Sequence, residues 1–160
     1  MKLYKIVNEE KTEVNMETLL FESVNTHSGD NQIVELSIEK TNEKTIRDLM
    51  LQLFILDNNE TYNLKQNEDG DDSVVYYRTI TGKTIKFYLY LKKGEEYILS
   101  KPSSEGVFYL EKNWTLQEPI EFRIELICDE KFSNKFGENK SILFGLVFLG
   151  DDDNENKTFS

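Results

Sequence analysis

Apolar and polar side chains alternate with period two through several stretches of this 160-residue chain. The clearest stretch covers residues 120–128, where one stripe holds Ile120, Phe122, Ile124, Leu126 and Cys128 and the other holds Glu121, Arg123 and Glu125. Successive side chains of a strand point to opposite faces, so this pattern predicts a half-buried antiparallel strand. Residues 33–40 show the same alternation and predict a second strand.

Other stretches predict further strands. They are residues 49–56 and 141–149, which are apolar on both faces and predict covered strands, and residues 74–80, 84–91, 97–100 and 107–110. Thr81-Gly82-Lys83 predicts a hairpin between two of them, with an odd-length turn that would set Tyr76 beside Tyr88. The alternative for residues 42–50 is a single helical turn that precedes the apolar strand.

The composition supports the same fold class. The chain has no alanine, the best helix former, and is rich in strand-forming residues. About eight short strands separated by turns predict an all-β fold, an antiparallel β-sandwich that is immunoglobulin-like or jelly-roll-like. We expect an N-terminal arm or additional strands in residues 1–30, the sandwich in residues 31–150 and a solvated acidic tail in residues 151–160.

Charge and hydropathy exclude several classes of partner. The formal net charge of −11 repels phosphate and anionic lipid, so we expect neither nucleic acid nor a membrane as partner. No run of about 18 apolar residues is present, and the first apolar stretch is too short for a standard secretory signal. Cys128 is the single cysteine and cannot form an intramolecular disulfide, which favours a reducing compartment.

The chain carries no catalytic signature, so we expect a protein that is not an enzyme and needs no cofactor or metal. Cys128 lies on the inward stripe of its strand, which predicts a core thiol, and His27 lies in a polar turn. Calcium at the acidic clusters 68–72 and 151–155 is a weaker alternative, because neither has EF-hand spacing. A small hydrolase is disfavoured, since groups able to act as a general base near neutral pH are few.

Aromatic and apolar side chains offer the candidate interaction surface. Tyr88 and Tyr90 alternate with the apolar stripe of their strand and are predicted to point away from it. Such a row suits stacking on sugars or anchoring a protein. The alternative is that another sheet or the N-terminal segment covers the tyrosines. Trp114 has an alternative of its own, as a core residue. The full candidate set is Leu3, Tyr4, Ile6, Tyr76, Tyr88, Tyr90 and Trp114.

The order of these segments resembles an immunoglobulin-like β-sandwich. The resemblance rests on residues 34–40, 49–57, 84–91 and Trp114 leading into residues 118–126, and it covers roughly residues 30–150. The chain is similar in this respect to the accessory modules on virions of tailed bacteriophages. It lacks the paired cysteines of antibody-type domains. Fold analogy shifts the expectation without establishing function.

The resemblance implies a non-enzymatic structural protein, an accessory or decoration subunit of a virus-like particle on its capsid or neck. It would be assembled in the host cytoplasm and dock through its N-terminal segment and a sheet edge. The expected partners are other structural proteins of the assembly, with a homo-oligomer as a further possibility. The alternative is a carbohydrate-binding or adhesion module that uses the aromatic row.

Overall fold

The computed structural model describes residues 2–14, 31–41, 45–46, 48–57, 60–67, 71–78, 83–112, 114, 118–128, 143–152 and 155–159. Within these residues the regular structure is entirely β. The strands are β1 Lys2–Val7, β2 Glu10–Val14, β3 Asn31–Glu39, β4 Leu49–Asp57, β5 Glu60–Asn63, β6 Lys65–Gln66, β7 Val74–Arg78, β8 Lys83–Lys93, β9 Glu96–Leu99, β10 Val107–Glu111, β11 Ile120–Cys128, β12 Leu143–Asp152 and β13 Glu155–Phe159.

The strands form two antiparallel sheets. The larger sheet has eight strands in the order β2-β1-β3-β11-β8-β7-β6, with β9 paired to β8 beside β7. The smaller sheet has five strands in the order β10-β4-β12-β13, with β5 paired to β4. The predicted all-β, antiparallel, sandwich-like fold is therefore confirmed.

Both sheets contribute to one hydrophobic core. The larger sheet buries residues such as Leu36, Phe87 and Phe122, and the smaller sheet buries Leu51 and Phe148 in the same cluster. The rings of Phe122 and Phe148 meet edge to face, with centroids 6.3 Å apart and planes at 79°. This contact joins the two sheets at the middle of the core, the arrangement that a sandwich requires.

Strand β11 shows how the period-two pattern becomes structure. Phe122, Ile124 and Leu126 are fully buried, whereas Glu121 and the other outward residues of the strand are only partly buried. The strand also has the predicted bounds and lies between β3 and β8, at the centre of the larger sheet. The prediction of the buried stripe is confirmed for these three residues. The side chain of Cys128 lies outside the described residues.

The N-terminal segment extends the larger sheet at its edge. Strands β1 and β2 form a hairpin, and its two turn residues Asn8 and Glu9 have φ of 51° and 66°. Positive φ at both central positions is typical of the type I′ turn, whose twist suits a two-residue hairpin. Strand β1 then pairs with β3, so residues 2–14 are additional strands of the sandwich. Residues 15–30 lie outside the described residues.

The hairpin between β7 and β8 has a different register from the predicted one. Arg78 pairs with Lys83, so the connection has four residues, 79–82, and not an odd number. Tyr76 consequently pairs with Ile85 and does not stand beside Tyr88. Because side chains alternate along a strand, this change of parity moves Tyr76 to the register of the opposite face.

The prediction of a solvated acidic tail at residues 151–160 is also corrected by the structure. Strand β12 continues to Asp152, and β13 folds back along it with Phe148 opposite Phe159. A strand pairs through its backbone, so the charged composition of this segment does not prevent it from joining the edge of the smaller sheet.

Candidate interaction surface

The outer face of the larger sheet brings together tyrosines, one arginine and charged side chains. On β8, Tyr88 and Tyr90 are partly buried, while Phe87 and Leu89 between and beside them are buried in the core. The register sets Glu125 of β11 opposite Tyr88 and Arg123 opposite Tyr90. The burial and register of the two tyrosines thus indicate that they point outward, as predicted.

Arg123 lies at the centre of this face. Its Nη2 donates to Glu35 Oε1 at 2.7 Å, and Glu35 is its direct cross-strand neighbour on β3. On the other side, its Cζ lies 3.9 Å from the centroid of the Tyr97 ring. The planar guanidinium suits both contacts, because it binds a carboxylate through fixed donors and stacks on an aromatic ring.

The tyrosine hydroxyls are bound to carboxylates. Tyr88 donates to Asp71 Oδ2 at 2.5 Å, and Tyr90 donates to Glu125 Oε1 at 3.2 Å. Burial and the hydrogen bond to Asp71 raise the pKa of Tyr88 to about 12. Burial and the charge of Glu125 also raise the pKa of Tyr90. Each phenol is held neutral, since a phenolate would lose its hydrogen bond and face a negative charge.

Three of the four carboxylates on this face lie in ion pairs, the first being the Glu35–Arg123 pair described above. Lys92 Nζ lies 2.9 Å from Glu121 Oε2, and Lys11 Nζ lies 3.9 Å from the other oxygen of the same carboxylate. Lys86 Nζ lies 3.8 Å from Asp71 Oδ2. We name this surface the tyrosine–arginine face and define it by Tyr88, Tyr90, Tyr97, Arg123, Lys11, Glu35, Asp71, Lys86, Lys92, Glu121 and Glu125.

The tyrosine–arginine face is electrically neutral on a strongly acidic protein. Its four carboxylates and four cations sum to zero, while the whole chain carries a net charge of −11. Apolar side chains adjoin it: Ile33, opposite Glu125, is 53% exposed, and Leu99, opposite Tyr90, is 40% exposed. A neutral surface that combines aromatic rings, an arginine and exposed aliphatic groups has the composition of a recognition surface.

Comparison with known proteins gives no relative from which a function can be transferred. No family model, curated protein or solved structure matches this chain. The site therefore rests on its own geometry.

The other predicted surface residues divide between the two faces of the larger sheet. Tyr4 and Ile6 pair with Ser37 and Glu35, which puts both on the same outer face as the tyrosine–arginine face. Leu3 is fully buried in the core, so its prediction as a docking residue is wrong. The reason is again alternation, because Leu3 pairs with buried Ile38 and shares its inward direction.

Trp114 is a core residue, not a binding platform. It is 2% exposed, and its Nε1 donates to the carbonyl of Glu118 at 3.2 Å. Its backbone forms an isolated antiparallel bridge with Ile46, and Lys40 Nζ donates to its carbonyl at 3.0 Å. Trp114 therefore ties together the chain segments at one end of the sandwich. The helical-turn alternative for residues 42–50 includes residues outside the described part, and the described Ile46 lies in this bridge.

Arg123 and Tyr97 were missed as site residues. Arg123 was recognisable as part of an outward stripe, and Tyr97 as part of a short strand, but their meeting depends on β8 carrying β11 on one edge and β9 on the other. A single sequence does not give those pairings.

The described residues hold no group of three or more His, Cys, Asp or Glu side chains arranged to bind a metal. His27 and residues 68–70 and 153–154 of the acidic clusters lie outside the described part. The described Asp71 instead accepts the Tyr88 hydrogen bond. Within the same part of the chain, no helix of the length and apolarity needed to span a membrane occurs.

The raised pKa of Tyr88 predicts a loss of stability at alkaline pH. In the unfolded chain the phenol loses its proton near pH 10, whereas in the folded protein it keeps the proton up to about 12. The free energy of unfolding contributed by this group is therefore fully present below pH 10 and falls as pH rises towards 12. Urea unfolding measures the free energy of unfolding below pH 10 and at about pH 11. Between these two pH values, Tyr88→Phe should lose less of this free energy than the wild type. An equal loss in both proteins would contradict the assignment.

Proposed function

We propose that this protein is a non-enzymatic structural protein, an accessory or decoration subunit that docks onto other proteins of a virus-like particle. The observation that carries the proposal is the neutral tyrosine–arginine face on a chain of net charge −11. In this proposal, the docking surface is the tyrosine–arginine face, with Tyr4 and Ile6 of β1 beside it, and the acidic remainder of the surface faces solvent.

Composition supports a protein partner. Tyrosine and arginine are enriched at the centres of protein interfaces, where a large rigid side chain buries much area at low entropic cost. Arg123 is held between Glu35 and the Tyr97 ring, so little of its conformational freedom remains to be lost on docking. A pre-organised anchor of this kind lowers the entropic cost of association.

Electrostatics favours the same surface. A buried charge without a partner costs several kcal/mol, of the order measured when one member of a buried pair is removed. On the tyrosine–arginine face, ion pairs already match the carboxylates of Glu35, Asp71 and Glu121 with cations. A protein partner covering this face meets paired charges and no net repulsion, unlike a partner approaching the acidic remainder.

Crosslinking mass spectrometry on the native source material tests the proposal. A lysine-reactive reagent should join Lys11, Lys86 and Lys92 of the tyrosine–arginine face to other proteins of a particle. Exposed Lys112, which directly follows β10 of the smaller sheet, is the internal control and should give few such crosslinks. Crosslinks to partners from Lys112 but not from the face, or none to any structural protein, would refute the proposal.

Substitution beside the face provides a quantitative test once particles are purified. Ile33→Lys should weaken cosedimentation at least about tenfold, the effect typical of an interface anchor. Val7→Lys is the matched control, because Val7 is 55% exposed and Ile33 is 53% exposed. Ile6 pairs with Glu35 of the outer face, so the next residue, Val7, has the register of the other face of the sheet. Equal binding by both variants and the wild type would exclude docking at this face.

Carbohydrate recognition is the second candidate. It is favoured by three tyrosines, Tyr88, Tyr90 and Tyr97, on one face with carboxylate acceptors beside them, since sugars stack on aromatic rings and bind such polar groups. A glycan array with the wild type and Tyr90→Ala would distinguish the two candidates. Binding that the substitution abolishes supports the sugar site, and absence of signal for both proteins rejects it.

A further inference from the structure

Strand β9 forms an edge of the larger sheet. Among the described strands it pairs only with β8, through a hairpin closed at Lys93 and Glu96. Gly94 in the turn has φ of +66°, which suits a two-residue hairpin turn and fixes the register of the strand. The edge therefore has a defined set of backbone groups that face away from β8.

Alternation identifies those groups. The N–H of Ser100 donates to the carbonyl of Leu89 at 2.8 Å, so Ser100 is directed towards β8. In an antiparallel ladder every second residue bonds to the same neighbour, which directs Ile98 and Glu96 to β8 as well. The N–H and C=O groups of Tyr97 and Leu99 consequently point to the open edge.

Two of the four side chains of β9 are aliphatic and exposed. Ile98 is 51% exposed and Leu99 is 40% exposed. Natural proteins usually protect sheet edges with charges, and β2 at the opposite end of the larger sheet follows this rule with exposed Glu10, Lys11 and Glu13. An open edge strand with two exposed aliphatic side chains is a template on which another strand can pair.

We propose that the strand that pairs there is β9 of a second copy of this chain, in antiparallel orientation about a two-fold axis at Ile98. In this register Tyr97 lies opposite Leu99 of the second copy, and each pair exchanges two backbone hydrogen bonds. Both residues have the parity of the outer face, because β8 pairs them with Lys92 and Tyr90. The aromatic ring of each copy then packs on an aliphatic side chain of the other.

Charge complementarity selects the second copy and this register. A two-fold axis at Ile98 sets exposed Glu95 opposite exposed Lys101 of the other copy at both ends of the paired segment. Moving the axis to Tyr97 would set Glu95 opposite Leu99 instead, and both opposite-charge pairs would be lost. Opposite charges facing across strands stabilise a ladder, and like charges destabilise it.

The dimer has a consequence for the tyrosine–arginine face, although the pairing itself rests on the β9 edge alone. A two-fold axis perpendicular to the joined sheet keeps both outer faces on the same side. The dimer thus presents two docking faces to one partner surface, and the second contact becomes intramolecular. The oligomeric state can be measured without any particle, so failure of either proposal is visible separately.

Sedimentation velocity of the full chain over a range of concentrations tests the pairing. The wild type should show a concentration-dependent monomer–dimer equilibrium. Leu99→Pro removes one outward N–H and is expected to abolish the dimer, while the bonds of β9 to β8 remain, because proline is tolerated where a strand N–H faces solvent. A wild type that stays monomeric, or a dimer unchanged by this substitution, overturns the proposal.

A charge-swap series decides the register even where the proline variant fails to fold. Glu95→Lys and Lys101→Glu should each raise the dimer Kd about tenfold, because each places two like-charge pairs in the interface. The double variant Glu95→Lys with Lys101→Glu should restore wild-type affinity, since both pairs are again opposite in sign. Additive weakening in the double variant would overturn the register.

Discussion

Gly106→Ala is expected to destabilise the protein by about 3 kcal/mol or more. Gly106 has φ of +83°, which side chains rarely adopt, and an added Cβ would lie 1.9 Å from the carbonyl oxygen of Leu64. Its N–H also donates to the carbonyl of Ser103 at 2.9 Å, so the turn before β10 cannot move freely away. The clash is with backbone, not with the flexible end of a side chain, and the segment after β5 or the turn itself must shift.

Gly94→Ala is the matched control for this prediction. Gly94 also has a positive φ, +66°, but nothing lies within 4 Å of an added Cβ. The left-handed conformation alone costs about 1–2 kcal/mol. Urea unfolding followed by circular dichroism should therefore separate the two variants, with Gly106→Ala far less stable. Similar free energies of unfolding would show that the close approach to Leu64 does not constrain the fold.

Phe122→Ala is expected to cost about 3–5 kcal/mol, enough to unfold a marginally stable domain. Phe122 is fully buried on β11 of the larger sheet, and its ring meets that of Phe148 from the smaller sheet. Removing the ring leaves a cavity at the contact between the sheets. Ile33→Ala on the exposed face should cost less than about 1 kcal/mol, because Ile33 is 53% exposed.

A double-mutant cycle isolates the ring contact from burial alone. Phe122→Leu and Phe148→Leu keep the two positions apolar, and the edge-to-face geometry predicts a coupling energy of about 0.5–1.5 kcal/mol between them. The measurement is the free energy of unfolding of both single variants and the double variant. Additive losses would mean that the two sheets do not interact through these rings.

The sequence was sufficient to predict the central strands because their pattern records burial directly. Strand β11 has the predicted bounds, and β3 and β4 differ from the predicted strands by one or two residues at an end. The pattern failed where burial does not decide pairing. Strands β2 and β13 are polar edge strands, held by backbone hydrogen bonds that side-chain hydropathy does not report.

The candidate site was predictable only in part. Alternation correctly separated Tyr88 and Tyr90 from the core stripe, since that depends on one strand. The partners of the site come from distant segments: Arg123 and Glu35 are 88 residues apart, and Tyr90 and Glu125 are 35 apart. The Tyr76 error has the same origin, because an even turn in place of an odd one shifts which residues of β7 pair with the outward residues of β8.

The charged strand β2 limits how far an assembly of this chain can grow. If both edges of the sheet could pair with other copies, the copies would add one after another and form a fibre. A two-fold symmetric contact at one edge instead gives a closed dimer, because it leaves neither copy with a free pairing edge. Glu10, Lys11 and Glu13 are exposed along β2 and would have to be desolvated by any incoming strand. At the larger sheet, these three side chains therefore favour a closed dimer over a filament.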